Sequence, residues 1–257
     1  MINGTKSLAL CGLALALTGC GINPVAPVGT AVKIAGSAVT TTAKVAGTVA
    51  TTTANVATAP VRAFHAPALS VANPLTAVEA QCRRDLERMK VKFSPVASVE
   101  GPGQCGIANP VKVSMLSRRI ALSPPATLNC ETALAAAKWA HRDLAPAARH
   151  RYASNVRRIR HMSAYSCRRI RGTGRLSEHG RGNALDVGAI ELGNGRVIKV
   201  RKKGFFAFRE KGFMRAIRKG ACEHFNTVLG PGSDADHADH FHFDLKARRS
   251  GKKYCDL

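Results

Sequence analysis

The spacing of apolar and polar residues predicts three helices after residue 78. Residues 79–90 (EAQCRRDLERMK) form the first. Asn129 can cap the second, which runs through residues 130–144, because apolar side chains recur there at helical intervals. Residues 213–225 form the third.

Other segments alternate apolar and polar residues, which predicts strands. Residues 184–190 are followed by a Gly-Asn-Gly turn and by residues 197–200, the pattern of a β-hairpin. In residues 241–245, Phe and Leu alternate with His and Asp. Shorter strands are predicted at residues 112–114, at 119–122 before a break at Pro124-Pro125, and at the start of 156–166. Helices early and strands late predict an α+β fold.

Charge divides the chain near residue 75. Residues 1–75 contain no Asp or Glu, whereas residues 76–257 contain 35 basic and 16 acidic residues, a net charge of +19. This surplus favours anionic surroundings such as a cell-wall polymer, lipid or nucleic acid. No apolar run reaches the length of about 18 residues that a membrane-spanning helix needs, so we do not expect an integral transporter or channel.

The N-terminus predicts export. Lys6 precedes an apolar stretch of signal-peptide length at residues 7–17. The following LTGC sequence resembles the lipobox of bacterial lipoproteins, which implies cleavage before Cys20 and lipid attachment to its thiol. Gly21 at the next position implies, in a Gram-negative cell, an outer-membrane anchor facing the periplasm. The alternative is an ordinary signal peptide with a chance cysteine.

The segment between leader and domain has low complexity. Residues 20–77 are rich in Ala, Val and Thr and contain a weak repeat of eleven residues, TAVKIAGSAV followed by TTAKVAGTVA and TTANVATA. An eleven-residue period suits a helix lying on a surface, but the β-branched residues favour a flexible tether. The predicted organisation is a signal peptide at 1–19, a lipid-anchored tether at 20–77 and a globular domain at 78–257.

The cysteines agree with export. The domain holds an even number of them, and none forms a CxxC pair, so we expect disulfide bonds rather than a zinc ribbon. Cys82 with Cys105 is the most local pairing, and Cys167 with Cys222 would enclose the segment that carries the motifs below; both pairings are guesses. The candidates are Cys82, Cys105, Cys130, Cys167, Cys222 and Cys255.

Two histidine clusters carry candidate metal chemistry. The first, SEHGRGNALDVG, contains His179 and Asp186, with glycines between them that let the chain curl. The second, HADHFHFDL, puts His240, His242 and Asp244 on one face of a predicted strand and the phenylalanines on the other. Two His and one Asp match a catalytic zinc site with an open fourth position, although nitrogen and oxygen ligands also admit other divalent ions. Asp244 is either a partner of a ligand imidazole or a solvated strand residue.

These motifs resemble known families. The pattern S-x-H-x6-D followed by HxH is similar to the LAS-type metallopeptidases. The chain also resembles the bacterial extensin-like C-terminal domain family over about residues 80–257, through the segments SEHGRGNALDVG, VLGPGSDADHADHFHFDL and AYSCRR. The spacing of His237, His240 and His242 resembles that of the penicillin-insensitive murein endopeptidases. The resemblance implies a LAS/hedgehog-like fold with a small antiparallel sheet that carries the metal site between helices. It also implies one Zn²⁺ per chain, held by His179, Asp186 and His242.

The resemblance further implies catalytic roles. The first His of HxH lies beside the water that the metal binds, so His240 is the implied general base. Asp239 occupies the place of a carboxylate base in ExxH relatives but is shorter than Glu, which ranks it second. His237 is a candidate to orient substrate or an oxyanion. Arg168 or Arg169 is a candidate to bind a substrate carbonyl or carboxylate; surface solvation is the alternative.

The function expected from the sequence is a zinc-dependent peptidase acting on peptidoglycan stem peptides, as endopeptidase or carboxypeptidase. The alternative is a non-catalytic wall-binding or structural lipoprotein that keeps the fold and metal site. Nucleic-acid binding would rest on charge alone, and export together with the lack of a recognised nucleic-acid motif argues against it. The expected partners are peptidoglycan or another anionic envelope polymer, and the membrane through Cys20.

Overall fold

The computed structural model describes residues 75–257, in which four α-helices accompany a large sheet. The predicted signal peptide, Cys20 and residues 20–74 of the predicted tether lie outside the described residues, and the last predicted tether residue, Ala77, already belongs to α1. Within 75–257, no helix has the length and apolar character needed to cross a membrane. The helices are α1 (Ala77–Arg88), α2 (Cys130–Trp139), α3 (Ala145–Tyr152) and α4 (Phe208–His224), with a π-helical turn at Ala140–Leu144 and a 3₁₀ turn at Glu178–Arg181.

Strands run through most of the domain. They are β1 (Lys92–Pro95), β2 (Val99–Glu100), β3 (Gly106–Ile107), β4 (Val111–Met115), β5 (Ala121–Leu128), β6 (Val156–Ser163), β7 (Ala184–Leu192), β8 (Val197–Lys199), β9 (Thr227–Leu229), β10 (Phe241–Asp244) and β11 (Tyr254–Cys255). The predicted α+β class and the β7–β8 hairpin are confirmed.

The described sheet is larger than the sequence suggested, and it is mixed. Nine strands join in the order β1-β4-β5-β6-β7-β10-β9-β11, with β8 also paired to β7, while β2 and β3 form a separate ribbon. The β5–β6 and β9–β11 pairs are parallel and the other pairs antiparallel. Strands β10 and β8 occupy the same edge of β7, one beside its first half and the other beside its second half.

The helices confirm three sequence predictions with altered limits. Helix α1 begins with a reciprocal cap between Thr76 and Glu79. Asn129 caps α2 as predicted, accepting a hydrogen bond from the backbone N–H of Thr132 at 2.8 Å. The expected single helix is interrupted by the π turn, because Pro146 has no N–H to continue the α-helical ladder. Helix α4 starts five residues earlier than predicted, at Phe208.

The predicted break at Pro124-Pro125 is wrong, since β5 continues through both prolines to Leu128. The pairing of β5 with β6 ends at Ser123, and the register with β4 shifts between Val113 and Met115. The prolines therefore lie where the ladder is irregular and their missing N–H groups cost little.

An aromatic core holds the back of β10. Phe241 and Phe243 are fully buried, and the Phe243 ring packs edge-on against Trp139 of α2 at 5.1 Å and stacks on Phe225 at 5.1 Å. The Trp139 indole N–H also donates to the backbone carbonyl of Ile217 in α4, at 2.9 Å. Residues of α2 and α4 thus pack behind the apolar face of β10. This packing keeps His242 on the opposite face of the strand.

Three disulfide bonds confirm the expected use of the cysteines, but both guessed pairings are wrong. The bonds join Cys82 to Cys130, Cys105 to Cys167 and Cys222 to Cys255, with Cα separations of 6.1, 5.6 and 6.1 Å. Packing decides the partners: α1 lies against the start of α2, and the end of α4 lies beside β11. Nearness in sequence does not reveal these contacts.

The Cys105–Cys167 bond should restrain the segment that leads to His179. Replacing both cysteines by Ser should lower the free energy of unfolding by about 2–4 kcal/mol, because the denatured chain gains freedom. Hydrogen exchange in residues 164–176 should rise as well. The matched variant without Cys222–Cys255 should lose similar stability but keep exchange in that segment slow. Equal exchange in both variants would contradict this restraining role.

Candidate metal centre

Two neighbouring strands and one turn bring together the three predicted metal ligands. His242 in β10 is the direct antiparallel partner of Asp186 in β7. His179 comes from the 3₁₀ turn just before β7, capped by the Ser177 side chain. That turn ends at Gly182, whose φ of +61° suits glycine, and a Cβ there would collide with the Ile107 side chain.

The three side chains converge on one point. His179 Nε2 lies 3.1 Å from Asp186 Oδ2, and His242 Nδ1 lies 2.9 Å from Asp186 Oδ1. The two imidazole nitrogens are 3.2 Å apart. Two nitrogens bound tetrahedrally to one zinc ion are about 3.3 Å apart, from the usual Zn–N length. The group could therefore hold a metal ion with little movement.

Outer partners orient both imidazoles. The Nδ1 of His179 lies 2.6 Å from the backbone carbonyl of Ala164, to which it donates, and this leaves Nε2 to face the group. The Nε2 of His242 lies 2.9 Å from Asp244 Oδ2, which leaves Nδ1 to face the group. Asp244 is itself fixed by the backbone N–H of Lys246 at 2.9 Å. Such hydrogen bonds select the tautomer that presents a free lone pair to a metal.

The charges in this group depend on each other. Burial disfavours the carboxylate of Asp186, but hydrogen bonds and positive charge from His179 and His242 outweigh it and hold the pKa of Asp186 well below its usual range. Burial likewise disfavours the imidazolium of His242, yet its bonds to Asp186 and Asp244 raise its pKa to about 9. In the metal-free protein, a proton on His242 thus supplies the positive charge between two carboxylates.

His240 and Asp239 stand next to the ligands. His240 directly precedes β10, and its Nε2 is 3.7 Å from Asp186 Oδ1. Its Nδ1 is 2.9 Å from Asp239 Oδ1, and the Asp239 side chain is 68% exposed. Asp239 therefore orients His240 and turns away from the ligand group, which disfavours it as the base itself.

His237 also belongs to this cluster. Its ring centre is 5.2 Å from that of His240 and 5.6 Å from that of His242. Its Nδ1 lies 2.6 Å from Asp234 Oδ1, an acid that the sequence analysis overlooked although it lies only three residues earlier.

The two candidate arginines differ. The guanidinium of Arg168 is 3.9 Å from Asp186 Oδ2, so it faces the ligand group. Arg169 instead donates to the carbonyl of Gly174 within its own loop. A groove of about 820 Å³ beside them is rich in cations. The sequence alone did not bring these cations together, because Arg181 in the 3₁₀ turn and Lys246 after β10 join the arginines of one loop only in the folded chain. Its basic lining residues are Arg168, Arg169, Arg175, Arg181 and Lys246.

Fold and site together define an α+β domain with a buried His-Asp-His group that could hold a metal ion. Residues 80–256 match the family described as Extensin-like protein C-terminus, and the chain therefore belongs to that family. The resemblance to the extensin-like C-terminal domain family is confirmed over this range. No curated protein and no solved structure matched the chain.

Metal affinity should depend on pH through His242. Its pKa of about 9 means that a metal must displace a proton at neutral pH. The apparent affinity should therefore rise about tenfold for each unit of pH between about 6 and 8, one proton being released per metal bound. Titration against a chelator at several pH values measures this slope. The exposed His150→Gln change should leave the slope intact, and a flat profile in the unmodified protein would contradict the assignment.

Proposed function

We propose that this protein is a zinc-dependent peptidase that acts on the stem peptides of peptidoglycan. The observation that carries the proposal is an imidazole, His240, held beside a convergent His-Asp-His group. The likeness of the S-x-H-x6-D and HxH motifs to LAS-type metallopeptidases supports the same reading.

Zinc is the metal that this ligand set favours. Two imidazoles and one carboxylate, without thiolate, leave one position open, as in catalytic zinc sites. A zinc ion held by His179, Asp186 and His242 would act as a Lewis acid, polarising a carbonyl and lowering the pKa of a water to about 7. The hydrogen bonds that His179 donates to the Ala164 carbonyl and His242 donates to Asp244 would keep the imidazoles in position during that chemistry.

His240 is suited to accept a proton at its Nε2 atom. Its Nδ1 can donate to Asp239 at 2.9 Å, which keeps the lone pair of the neutral ring on Nε2, the nitrogen nearer Asp186. Asp239 is thus a positioning residue. His237, hydrogen-bonded to Asp234 and next to His240, is a candidate to contact substrate.

The groove beside the site favours an anionic substrate. It carries five cations, and its one acid, Glu178, is buried and accepts from the Asn183 amide at 2.7 Å. Stem peptides of peptidoglycan carry several free carboxylates, which such a groove attracts. Arg168 lies both in the groove and 3.9 Å from Asp186, so it is the best candidate to bind a carboxylate or carbonyl near the scissile bond.

The proposed location in the cell envelope agrees with this substrate. A lipid on Cys20 would anchor the chain in the cell envelope, most simply in the outer membrane facing the periplasm. A tether of residues 20–77 would then let the basic domain reach the wall polymer. The disulfide bonds suit an oxidising compartment.

Zinc content and cleavage of purified sacculi test the activity on the same variants. The unmodified protein should carry about one zinc per chain and release stem-peptide products. His240→Ala should lower turnover about a hundredfold or more yet keep its zinc, because it removes only proton transfer. His242→Ala should lose both. Asp239→Asn should reduce turnover less than His240→Ala, and His150→Gln, a change at an exposed position of α3, should change neither property.

Each contrary result has a distinct meaning. If His240→Ala loses zinc and His242→Ala keeps it, then His240 is the ligand and His242 is the base. Full activity in His240→Ala would remove its role as base. If the zinc-loaded protein binds sacculi without cleaving them, it is a wall-binding module and not a peptidase.

The lipid anchor has its own test. Labelled palmitate fed to cells should enter the full-length protein and disappear with Cys20→Ser, because only that thiol belongs to the LTGC signal. Cys11→Ser, inside the apolar leader, is the matched control and should keep the label. Label unchanged by Cys20→Ser would end the lipoprotein assignment.

A further inference from the structure

Three phenylalanines are exposed side by side on one loop. In residues 204–208, here called the phenylalanine loop, which ends at the first residue of α4, Phe205, Phe206 and Phe208 are 74%, 84% and 65% exposed. The ring centres of Phe205 and Phe206 are 5.3 Å apart, and those of Phe205 and Phe208 are 6.1 Å apart. Single exposed apolar residues are ordinary, but a cluster of large rings on a short loop marks an interaction surface.

Cations surround this loop. Arg201 and Lys202 precede it and are exposed, and Lys211 follows it with its ammonium 5.5 Å from the centre of the Phe205 ring. Glu210, the nearby acid in sequence, is paired with Lys203 at 2.9 Å. The surface around the rings therefore carries a net positive charge.

A cationic cavity adjoins the loop. It has a volume of about 380 Å³, and its polar lining consists of basic side chains with no acid among them. Arg218, only 9% exposed, lines this cavity, and its Nε has no hydrogen-bond partner within residues 75–257. Its Nη1 donates to the Pro231 carbonyl, and its Nη2 donates to Ser233 Oγ and lies 4.0 Å from Asp256 Oδ2. The basic lining residues are Arg201, Lys202, Lys203, Lys211, Arg215 and Arg218, and the apolar ones include Met214, Phe241 and Leu257.

We propose that the phenylalanine loop and this cavity form a docking surface for an anionic lipid membrane. The rings enter the boundary between headgroups and acyl chains, where burial of apolar area favours binding. The surrounding Lys and Arg side chains meet the lipid phosphates, each strengthening binding to an anionic surface about fivefold. The apolar floor of the cavity and its cationic wall suit one phospholipid headgroup with the start of its chain.

A wall carbohydrate fits this surface less well. Sugars stack on flat aromatic faces and hydrogen-bond to amide or carboxylate side chains, whereas these rings meet edge-on at interplanar angles of 86° and 69°. The cavity lining contains no Asp, Glu, Asn or Gln. The proposal is independent of the peptidase assignment and of the lipid on Cys20, since it uses neither the ligand group nor the leader.

A local reporter separates this contact from binding by any other part of the chain. The full-length protein with Cys20→Ser and Phe206→Trp is mixed with vesicles of anionic and zwitterionic phospholipid, some with brominated acyl chains. The indole at position 206 should shift to shorter wavelength and be quenched by bromine. A reporter made by Val78→Trp, a side chain of α1 that is 68% exposed, should show neither effect.

Further changes in the reporter protein test rings and charge separately. Phe205→Ser with Phe208→Ser should weaken the response at least about tenfold on every vesicle, because apolar burial is lost. Arg201→Gln, Lys202→Gln and Arg215→Gln together should weaken it about a hundredfold on anionic vesicles only. The matched loss of three exposed cations elsewhere (Arg118, Arg119 and Arg149 to Gln) should weaken it less than about threefold.

Three results would overturn the proposal. One is an indole at position 206 that stays unquenched on anionic vesicles. Another is a response to peptidoglycan fragments in place of vesicles, which would assign the surface to the wall. The third is equal binding to zwitterionic and anionic vesicles, which would remove the role of the cations.

Discussion

The register between β7 and β10 is the constraint on which the candidate site depends. His242 lies directly opposite Asp186, so both side chains leave the sheet on the same face at neighbouring positions. A slip of one residue would turn His242 toward the aromatic core and Phe243 toward the polar group. The contacts of Phe243 with Trp139 and Phe225 oppose that slip. Hydrophobic packing on one face therefore maintains polar geometry on the other.

The polar group has its own internal balance. Asp186 and Asp244 are buried carboxylates on either side of His242, and isolated charges in that environment would be costly. A proton on His242, or a metal ion bound by Asp186 and His242, offsets the cost. Because the two carboxylates need a nearby positive charge, metal binding and protonation of His242 are coupled. The same need also explains why the nearby Arg168 is drawn toward Asp186.

Features that depend on short stretches of sequence could be predicted from local patterns. Alternation in HADHFHFDL predicted which side chains of β10 face the core, because that pattern has a period of two along one strand. The Asn129 cap and the β7–β8 hairpin are likewise short-range signals. Other features depend on contacts between segments that are separate in the sequence. They are the cysteine partners, the parallel β5–β6 pair and the groove that joins Arg168 to Arg181 and Lys246. No local pattern encodes those contacts.

The shared edge of β7 has a consequence for how this domain tolerates change. Strand β8 leaves that edge and β10 returns to it, so the chain from residue 200 to residue 240 is an excursion that begins and ends at almost the same place. The phenylalanine loop lies on this excursion. Insertions or deletions in that loop can lengthen or shorten it without altering the position at which β10 docks. The surface around the loop can thus change in length and composition while the His-Asp-His geometry of this domain is kept.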